Sequence, residues 1–148
     1  MQILKFVKKE APYWTTGTLA TPAGPVYTVS TDWTRCDIWG MIKSRVSAFR
    51  MNYAITPGLY AVGGPAKESD VFVTANYKLT FDILRRELHG MSAWVLVLDT
   101  KSINVWCAAG KGTFGTDELI KRITEAKLDI VVGHRRIILP QLGAVGVN

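Results

Sequence analysis

The chain has 148 residues, with 18 Lys and Arg against 12 Asp and Glu, a net charge of +6, and 48% hydrophobic and 20% charged residues. A chain of this size buries roughly 70% of its unfolded surface, so the composition predicts a folded domain and excludes a disordered or collagen-like chain. The longest apolar run, Ala93–Leu98, is far short of the ~20 residues of a spanning helix, and the lysines of the first ten residues follow their apolar patch, the reverse of a secretory signal, which points to a cytoplasmic domain.

Residues 1–32 read as an N-terminal extended arm: 15–30 are rich in Gly, Pro and Thr with short alternating stretches, as in an extended lead-in or an irregular hairpin. From Thr34 to Arg50, Ile38, Ile42, Val46 and Phe49 fall on one stripe of a predicted helix. Pro57-Gly58 ends that region, and Gly63-Gly64-Pro65 marks a turn. Val71-Phe72-Val73 is a predicted buried strand ending at Thr74. The next helix takes Thr80 as N-cap, puts Phe81, Leu84 and Leu88 on one face and stops at Gly90. Ala93–Leu98 is a second strand, continuous in its apolar character as in a sheet covered on both faces. After a polar, glycine-containing stretch, Thr116 is the N-cap of a helix with Asp117 and Glu118 in its first turn and Leu119, Ile120 and Ile123 as its apolar face. Ile130-Val131-Val132 and Ile137-Ile138-Leu139 are further predicted strands, the last ended by Pro140. Alternating strands and helices predict an α/β, Rossmann-like fold with a largely parallel sheet flanked by helices.

The basic residues fall in scattered pairs, Lys8-Lys9, Arg85-Arg86 and Arg135-Arg136, without interleaved aromatics, which reads as solvated faces and gives no nucleic-acid surface. Cys36 and Cys107 form no CxxC and have no ligand spacing to His89 or His134, against a zinc site, an iron-sulfur site or a disulfide scaffold. Cys36 reads as a packing residue.

In open α/β sheets ligands bind beyond the carboxyl ends of the strands, so the stretch after Leu98 is where chemistry is expected. Gly110, Gly112 and Gly115 satisfy G-x-G-x-x-G, but about 11 residues separate Leu98 from Gly110, and the acidic residue due about 20 positions on can only be Asp129. A phosphate-binding P-loop fails, because Val105 stands at its first glycine and Gly112 follows Lys111. Cys107 is the alternative centre: Ala108-Ala109-Gly110 leave little bulk beside it, and a helical first turn with Lys111 nearby favours its thiolate. The plain alternative is a buried cysteine acting as a small hydrophobe. Thr74 and Asn76, at the end of the first strand, are candidate cofactor-binding residues, with turn formation as the alternative.

The segment Asn104-Val105-Trp106-Cys107-Ala108-Ala109-Gly110-Lys111 resembles the cap-helix signature of the corrinoid protein of microbial mercury methylation. Residues 57–61, 73–78, 96–101, 112–116 and 139–144 also resemble its corrinoid-binding domain, so the likeness runs over roughly 33–147. The resemblance implies that 33–148 form a corrinoid-binding α/β domain with a cap helix whose Cys107 is the lower axial ligand of cobalt in cobalamin or a related corrinoid. Asn104, Val105, Trp106, Ala108, Ala109, Gly110 and Lys111 would then form the cap. Trp106 packs on the corrin or anchors the cap, Asn104 caps the helix or holds its loop, and Lys111 is solvated or meets a corrin amide. A coordinating thiol is deprotonated and soft, and it pushes electron density through cobalt to the opposite methyl group.

The implied activity is that of a corrinoid-dependent methyltransferase, of which this chain is the cofactor-binding part. It would take a methyl group from a methyl-folate donor or its methyltransferase and pass it to Hg(II), forming methylmercury. A ferredoxin-like iron-sulfur protein would be the reductant, because the chain has no cysteine cluster of its own. Members of that family continue into helices anchored in the cytoplasmic membrane, whereas this chain ends at Asn148 with no membrane segment and is expected to be cut short at its C-terminal end. Three alternatives stand beside this reading. One is a methyl-carrying corrinoid protein of the acetyl-CoA pathway, whose relative lacks the cysteine ligand; the others are a non-catalytic corrinoid-binding module and a nucleotide-dependent oxidoreductase that binds NAD(H).

Overall fold

A computed structural model of the chain describes residues 11–35, 37–39, 54–101, 114–140 and 147. The elements with defined bounds are β1 (Thr15–Leu19), β2 (Val26–Val29), β3 (Gly58–Val62), β4 (Val71–Ala75), α1 (Lys78–Glu87), β5 (Ala93–Leu98), α2 (Thr116–Glu125) and α3 (Leu128–Val131). Residues 35 and 37–39 are helical, in keeping with a helix begun near Thr34, and the remainder of that predicted helix, like Cys36, lies outside the described residues. Among the described residues no helix is long and apolar enough to cross a membrane.

The five strands form one sheet in the order β1-β2-β3-β5-β4. The pairs β2–β3 and β4–β5 are parallel, whereas β1–β2 and β3–β5 are antiparallel. The fold is therefore α/β with a mixed sheet, which corrects the expectation of a largely parallel, Rossmann-like one. The reason is β3. Its Gly-Leu-Tyr-Ala-Val sequence is framed by Pro57-Gly58 and Gly63-Gly64, punctuation that reads as turn, yet it runs antiparallel to β5 from Gly58 opposite Val97 to Val62 opposite Ala93. The arm contributes the β1–β2 hairpin, which joins the same sheet. The parallel crossover that the sequence does announce is β4-α1-β5, with Val71 opposite Trp94 and Ala75 opposite Leu98.

All six residues of β5 are buried, because both faces of the sheet are covered. Trp94, Leu96 and Leu98 pack with Phe114, Leu119, Leu128, Val131 and Val132 on the α2 and α3 side. Val95 and Val97 pack on the other side with Tyr60, Phe81, Leu88 and the arm residue Trp14. Trp14 meets the Phe81 ring edge-on at 4.9 Å and the Tyr60 ring at 5.5 Å, an arrangement that aromatic quadrupoles favour.

Helix α1 begins earlier than predicted, with Tyr77 and not Thr80 as N-cap. The Phe81 N–H already reaches the Tyr77 carbonyl, and Lys78 and Asp82 pair one turn apart. Helix α2 takes Gly115 as N-cap in place of Thr116, and Ile120, predicted to be core, is 57% exposed while Leu119 points inward. The strand predicted at 130–132 is instead α3 followed by extended Val132. Lys127, at φ 51, turns the chain so that Leu128 and Val131, three residues apart, enter the core and Ile130 faces outward. The strand predicted at 137–139 reduces to one parallel bridge, Ile138 to Phe72, held by Ile138 N–H to the Val71 carbonyl (2.8 Å) and Val73 N–H to the Ile138 carbonyl (2.9 Å). Pro140 has no N–H with which to extend that ladder.

A buried ion network ties α1 to the preceding segment. Lys78 Nζ lies 2.9 Å from Asp37 Oδ1 and 2.6 Å from Asp82 Oδ2. Arg85 reaches Asp37 Oδ1 and Asp82 Oδ1, each at 2.8 Å, and donates to the carbonyls of Ser30 (2.8 Å) and Asp32 (2.9 Å). Tyr13 OH donates to Asp37 as well. The solvated reading of Arg85-Arg86 thus holds for exposed Arg86, whose guanidinium lies over the Trp33 ring, and is corrected for Arg85, which is 1% exposed.

The phenol of Tyr60 donates to the Thr56 carbonyl, and burial pushes its pKa up from 10.0 to about 12. A raised pKa contributes stability that is complete below the unfolded value and is lost as pH rises through the folded one. We therefore expect stability to fall by about 2–3 kcal/mol between pH 10 and 12 through this group. Urea titrations across that window should show the fall, and Tyr60→Phe should make it shallower by that amount, leaving the share of Tyr13, whose phenol burial and Asp37 also push up; an equal fall in the variant would assign it elsewhere.

Candidate functional site

The carboxyl ends of β4 and β5 lie side by side, and both run into polar residues. After β4 comes Asn76, whose side-chain oxygen accepts the Thr100 N–H and the Thr100 hydroxyl, each at 3.0 Å. Its backbone carbonyl accepts the Ile55 N–H at 2.9 Å, just before β3. Asn76 thus ties together the ends of three strands. After β5, the Asp99 N–H donates to Glu118 in the first turn of α2 at 2.8 Å, and Arg122 holds that carboxylate at 2.8 and 3.0 Å. The Asp99 carboxylate accepts the Lys101 N–H. Its burial opposes ionisation, but the Lys101 N–H and ammonium, aided by Arg122, outweigh that and hold its pKa below the usual value. Lys101 itself takes a left-handed backbone, φ 58, rare for a residue with a Cβ. The chain therefore leaves the sheet at a point fixed to β4 on one side and α2 on the other.

Between Lys101 and Phe114, which is fully buried, runs the stretch that carries the predicted cap. Cys107 and the surrounding Asn104, Val105, Trp106, Ala108, Ala109, Gly110 and Lys111 lie outside the described residues, as does Gly112. Two predicted residues are placed. Asn76 has the tying role just described. Thr74, one residue before the end of β4, is 1% exposed, and among the described residues its hydroxyl has no hydrogen-bond partner. It lines a largely apolar groove of about 250 Å³ between α1 and the bridge at Ile138, whose walls include Phe72, Ile83, Leu84 and Pro140. A buried hydroxyl left without a partner costs about 1–3 kcal/mol, so it fits a ligand that brings its own polar groups into an apolar setting. A corrin, apolar in its body and fringed with amides, has that chemistry.

The two histidines stand at the other end of the sheet. His134 Nε2 meets the Ser69 carbonyl (2.7 Å) ahead of β4, and exposed His89 meets the Thr31 hydroxyl (2.9 Å) ahead of β5. Sequence reasoning missed the Asn76–Thr100 tie and the buried network. Their signals were a polar residue directly after each of two buried strands, and Lys78, Asp82 and Arg85 at four- and three-residue spacing along one helix face.

The family model described as CO dehydrogenase/acetyl-CoA synthase delta subunit matches residues 49–147, well over half of the chain. Among curated proteins, the chain is 33% identical over 92 residues to acetyl-CoA decarbonylase/synthase complex subunit gamma of Archaeoglobus fulgidus, covering 61% of this chain and 20% of the relative. It is 35% identical over 97 residues to the subunit of the same name from Methanocaldococcus jannaschii, covering 64% and 20%. The Methanosarcina acetivorans subunit is 29% identical over 99 residues, covering 64% and 21%. The chain spans about one fifth of the length of these relatives.

These matches uphold the expected cobalt-containing corrinoid cofactor and overturn the rest of the mercury reading. The resemblance to the mercury-methylation protein gives way to the acetyl-CoA decarbonylase/synthase relatives. With it go methyl transfer to Hg(II), Hg(II) as substrate and the ferredoxin-like reductant. The reading as the cofactor-binding part of a corrinoid-dependent methyltransferase is corrected too, since each relative is named as one subunit of an acetyl-CoA decarbonylase/synthase complex.

Proposed function

The chain belongs to the CO dehydrogenase/acetyl-CoA synthase delta subunit family, and from that premise we propose that it is a corrinoid-carrying domain that presents a cobalt-bound methyl group to the other subunits of an acetyl-CoA decarbonylase/synthase-type complex. The observation that carries this reading is the family match itself, which takes in β3, β4, β5, the ties at their ends and the whole stretch between Lys101 and Phe114. When bound, the corrinoid supplies a cobalt centre that takes up a methyl group and gives it up again. Partner subunits that donate, receive or return electrons are part of the proposal, because this chain contributes the holder and not the full reaction.

The residues divide the work of holding. Asn76 and Glu118 fix where the chain leaves β5, so that the following stretch starts from a set position. Cys107 would hold the cobalt, on the chain's own residues: it is the one soft donor in the sequence between Asp99 and Thr116, and a thiol that binds a metal does so as the thiolate. Ala108, Ala109 and Gly110, with little side-chain bulk, would leave room beside the thiol, and Asn104, Val105, Trp106 and Lys111 would complete the cap. Thr74, whose hydroxyl has no partner among the described residues, would offer it to an amide of the fringe.

Titrating the protein with cob(III)alamin and, separately, with NADH tests the reading. One equivalent of corrinoid with a saturable absorbance change, and no nucleotide bound, is the expected result; nucleotide binding without corrinoid binding would overturn it. Thr74→Val is a second check. Removing an unpaired buried hydroxyl at nearly constant shape should raise stability by about 1 kcal/mol while weakening the corrinoid several-fold. A variant less stable than wild type would mean that the hydroxyl has a structural partner.

A further inference from the structure

The family match begins at residue 49, so the arm and its β1–β2 hairpin lie outside it. The structure nevertheless places arm residues at the same end of the sheet as the candidate site. Strand β2 runs parallel to β3 with Tyr27 beside Tyr60, and Gly58 of β3 pairs with Val97, one residue short of the end of β5. There the arm and the β3 entry enclose a cleft of about 320 Å³, with Pro12, Pro25 and Tyr27 on one wall and Thr56, Pro57 and Tyr60 on the other.

The cleft is rigid by construction. Three of its lining residues are prolines, whose φ is fixed, the Tyr60 hydroxyl is bonded to the Thr56 carbonyl at 2.6 Å, and the Thr15 N–H and hydroxyl both hold the Pro12 carbonyl, at 3.0 and 2.6 Å. Tyr27 is 36% exposed, a large ring left partly open at the rim. A preformed, proline- and tyrosine-walled cleft loses little entropy on binding and suits a rigid, flat, methyl-bearing edge better than a flexible polar chain.

We propose that the N-terminal hairpin is part of the cofactor site, and that this cleft receives one edge of the corrin, with its methyl groups against Pro25 and the Tyr27 ring. The cleft holds only part of so large a ring, and because Gly58 in its lining pairs with Val97, the remainder would extend toward the carboxyl end of β5. The inference rests on the corrinoid reading above and adds to it that residues beyond the family match set the cofactor's affinity.

The test is cobalamin titration of wild type, Tyr27→Ala and Tyr27→Phe, with far-ultraviolet circular dichroism as the folding check, together with nitration of wild-type Tyr27 by tetranitromethane with and without cobalamin. The expected result is about tenfold weaker binding for the alanine variant, wild-type affinity for the phenylalanine variant, and protection of Tyr27 in the complex. Wild type that binds cobalamin while the alanine variant binds equally and Tyr27 is nitrated at an unchanged rate overturns this inference and leaves the corrinoid reading intact. Wild type that binds no cobalamin overturns the corrinoid reading and, with it, the role of the hairpin. The nitration arm needs no variant, so a misfolded Tyr27→Ala protein does not blunt the test.

Discussion

Arg85→Ala is expected to lower stability by about 3–5 kcal/mol, the range for breaking a buried ion pair by removing one partner. Arg85 is 1% exposed and serves four acceptors at once, the carboxylates of Asp37 and Asp82 and the carbonyls of Ser30 and Asp32. Without it, Lys78 is the one cation left to the two buried carboxylates among the described residues, and the carbonyls of Ser30 and Asp32 lose the guanidinium. Its neighbour is the control: Arg86→Ala, at an exposed position, should stay within about 1 kcal/mol of wild type. Urea unfolding of both variants measures this, and equal effects would mean that the network is ornamental. The acid limb carries a linked signature. Burial opposes ionisation of Asp37, but bonds from Tyr13, Thr34, Lys78 and Arg85 prevail and hold its pKa well below 3.8. A depressed carboxylate contributes stability that is complete above the unfolded value and is lost as pH falls toward the folded one. With Arg85 gone, that loss should begin at higher pH.

Cys107→Ala is expected to abolish thiolate ligation of the bound corrinoid, and Cys107→His to replace it with a nitrogen-ligated spectrum. Loss of a supporting outer-shell group alone costs a metal site ~10–100-fold in affinity, and loss of a direct ligand should cost at least as much. The effect is separable from folding, because thermal unfolding of the cofactor-free proteins reports stability without cobalt. Ultraviolet-visible spectra of the three reconstituted proteins decide the matter. Identical spectra would make Cys107 a packing residue and leave the corrinoid held from the sheet side alone.

What the sequence revealed follows from which forces act locally. Ala93–Leu98 was legible as a strand to the residue because a strand buried on both faces is apolar without interruption. The stripe of Phe81, Leu84 and Leu88 likewise announced α1. Strand β3 was hidden because its flanking Pro57-Gly58 and Gly63-Gly64 are turn residues serving the ends of a real strand. Its antiparallel place beside β5, and hence the mixed sheet, depends on long-range pairing that no local period encodes. The segment 130–132 misled because a short β-branched run has the same look in a strand and in a turn of buried helix, and the deciding feature was the left-handed Lys127. At the site, Thr74 and Asn76 were found from the rule that ligands sit beyond strand ends. The structure then gave them different circumstances, a hydroxyl without a partner among the described residues in one case and a tie between strand ends in the other. Arg85 was misread because charged pairs on helices usually face water, and only the three-dimensional meeting with Asp37 reveals that this one does not.

The chemistry that a corrinoid needs from this chain is a fixed exit from the sheet, a ligand beyond it and an apolar wall with few polar groups. Amide hydrogen exchange of the protein with and without one equivalent of cob(III)alamin tests that arrangement most directly, because it reports binding and location together. Slowed exchange at residues 74–76 and 99–116, at the carboxyl ends of β4 and β5, and at the adjoining cleft residues 26–27 and 58–60, is the result predicted. No change in exchange, or protection around Gly63 and His89 at the opposite end of the sheet, would contradict it.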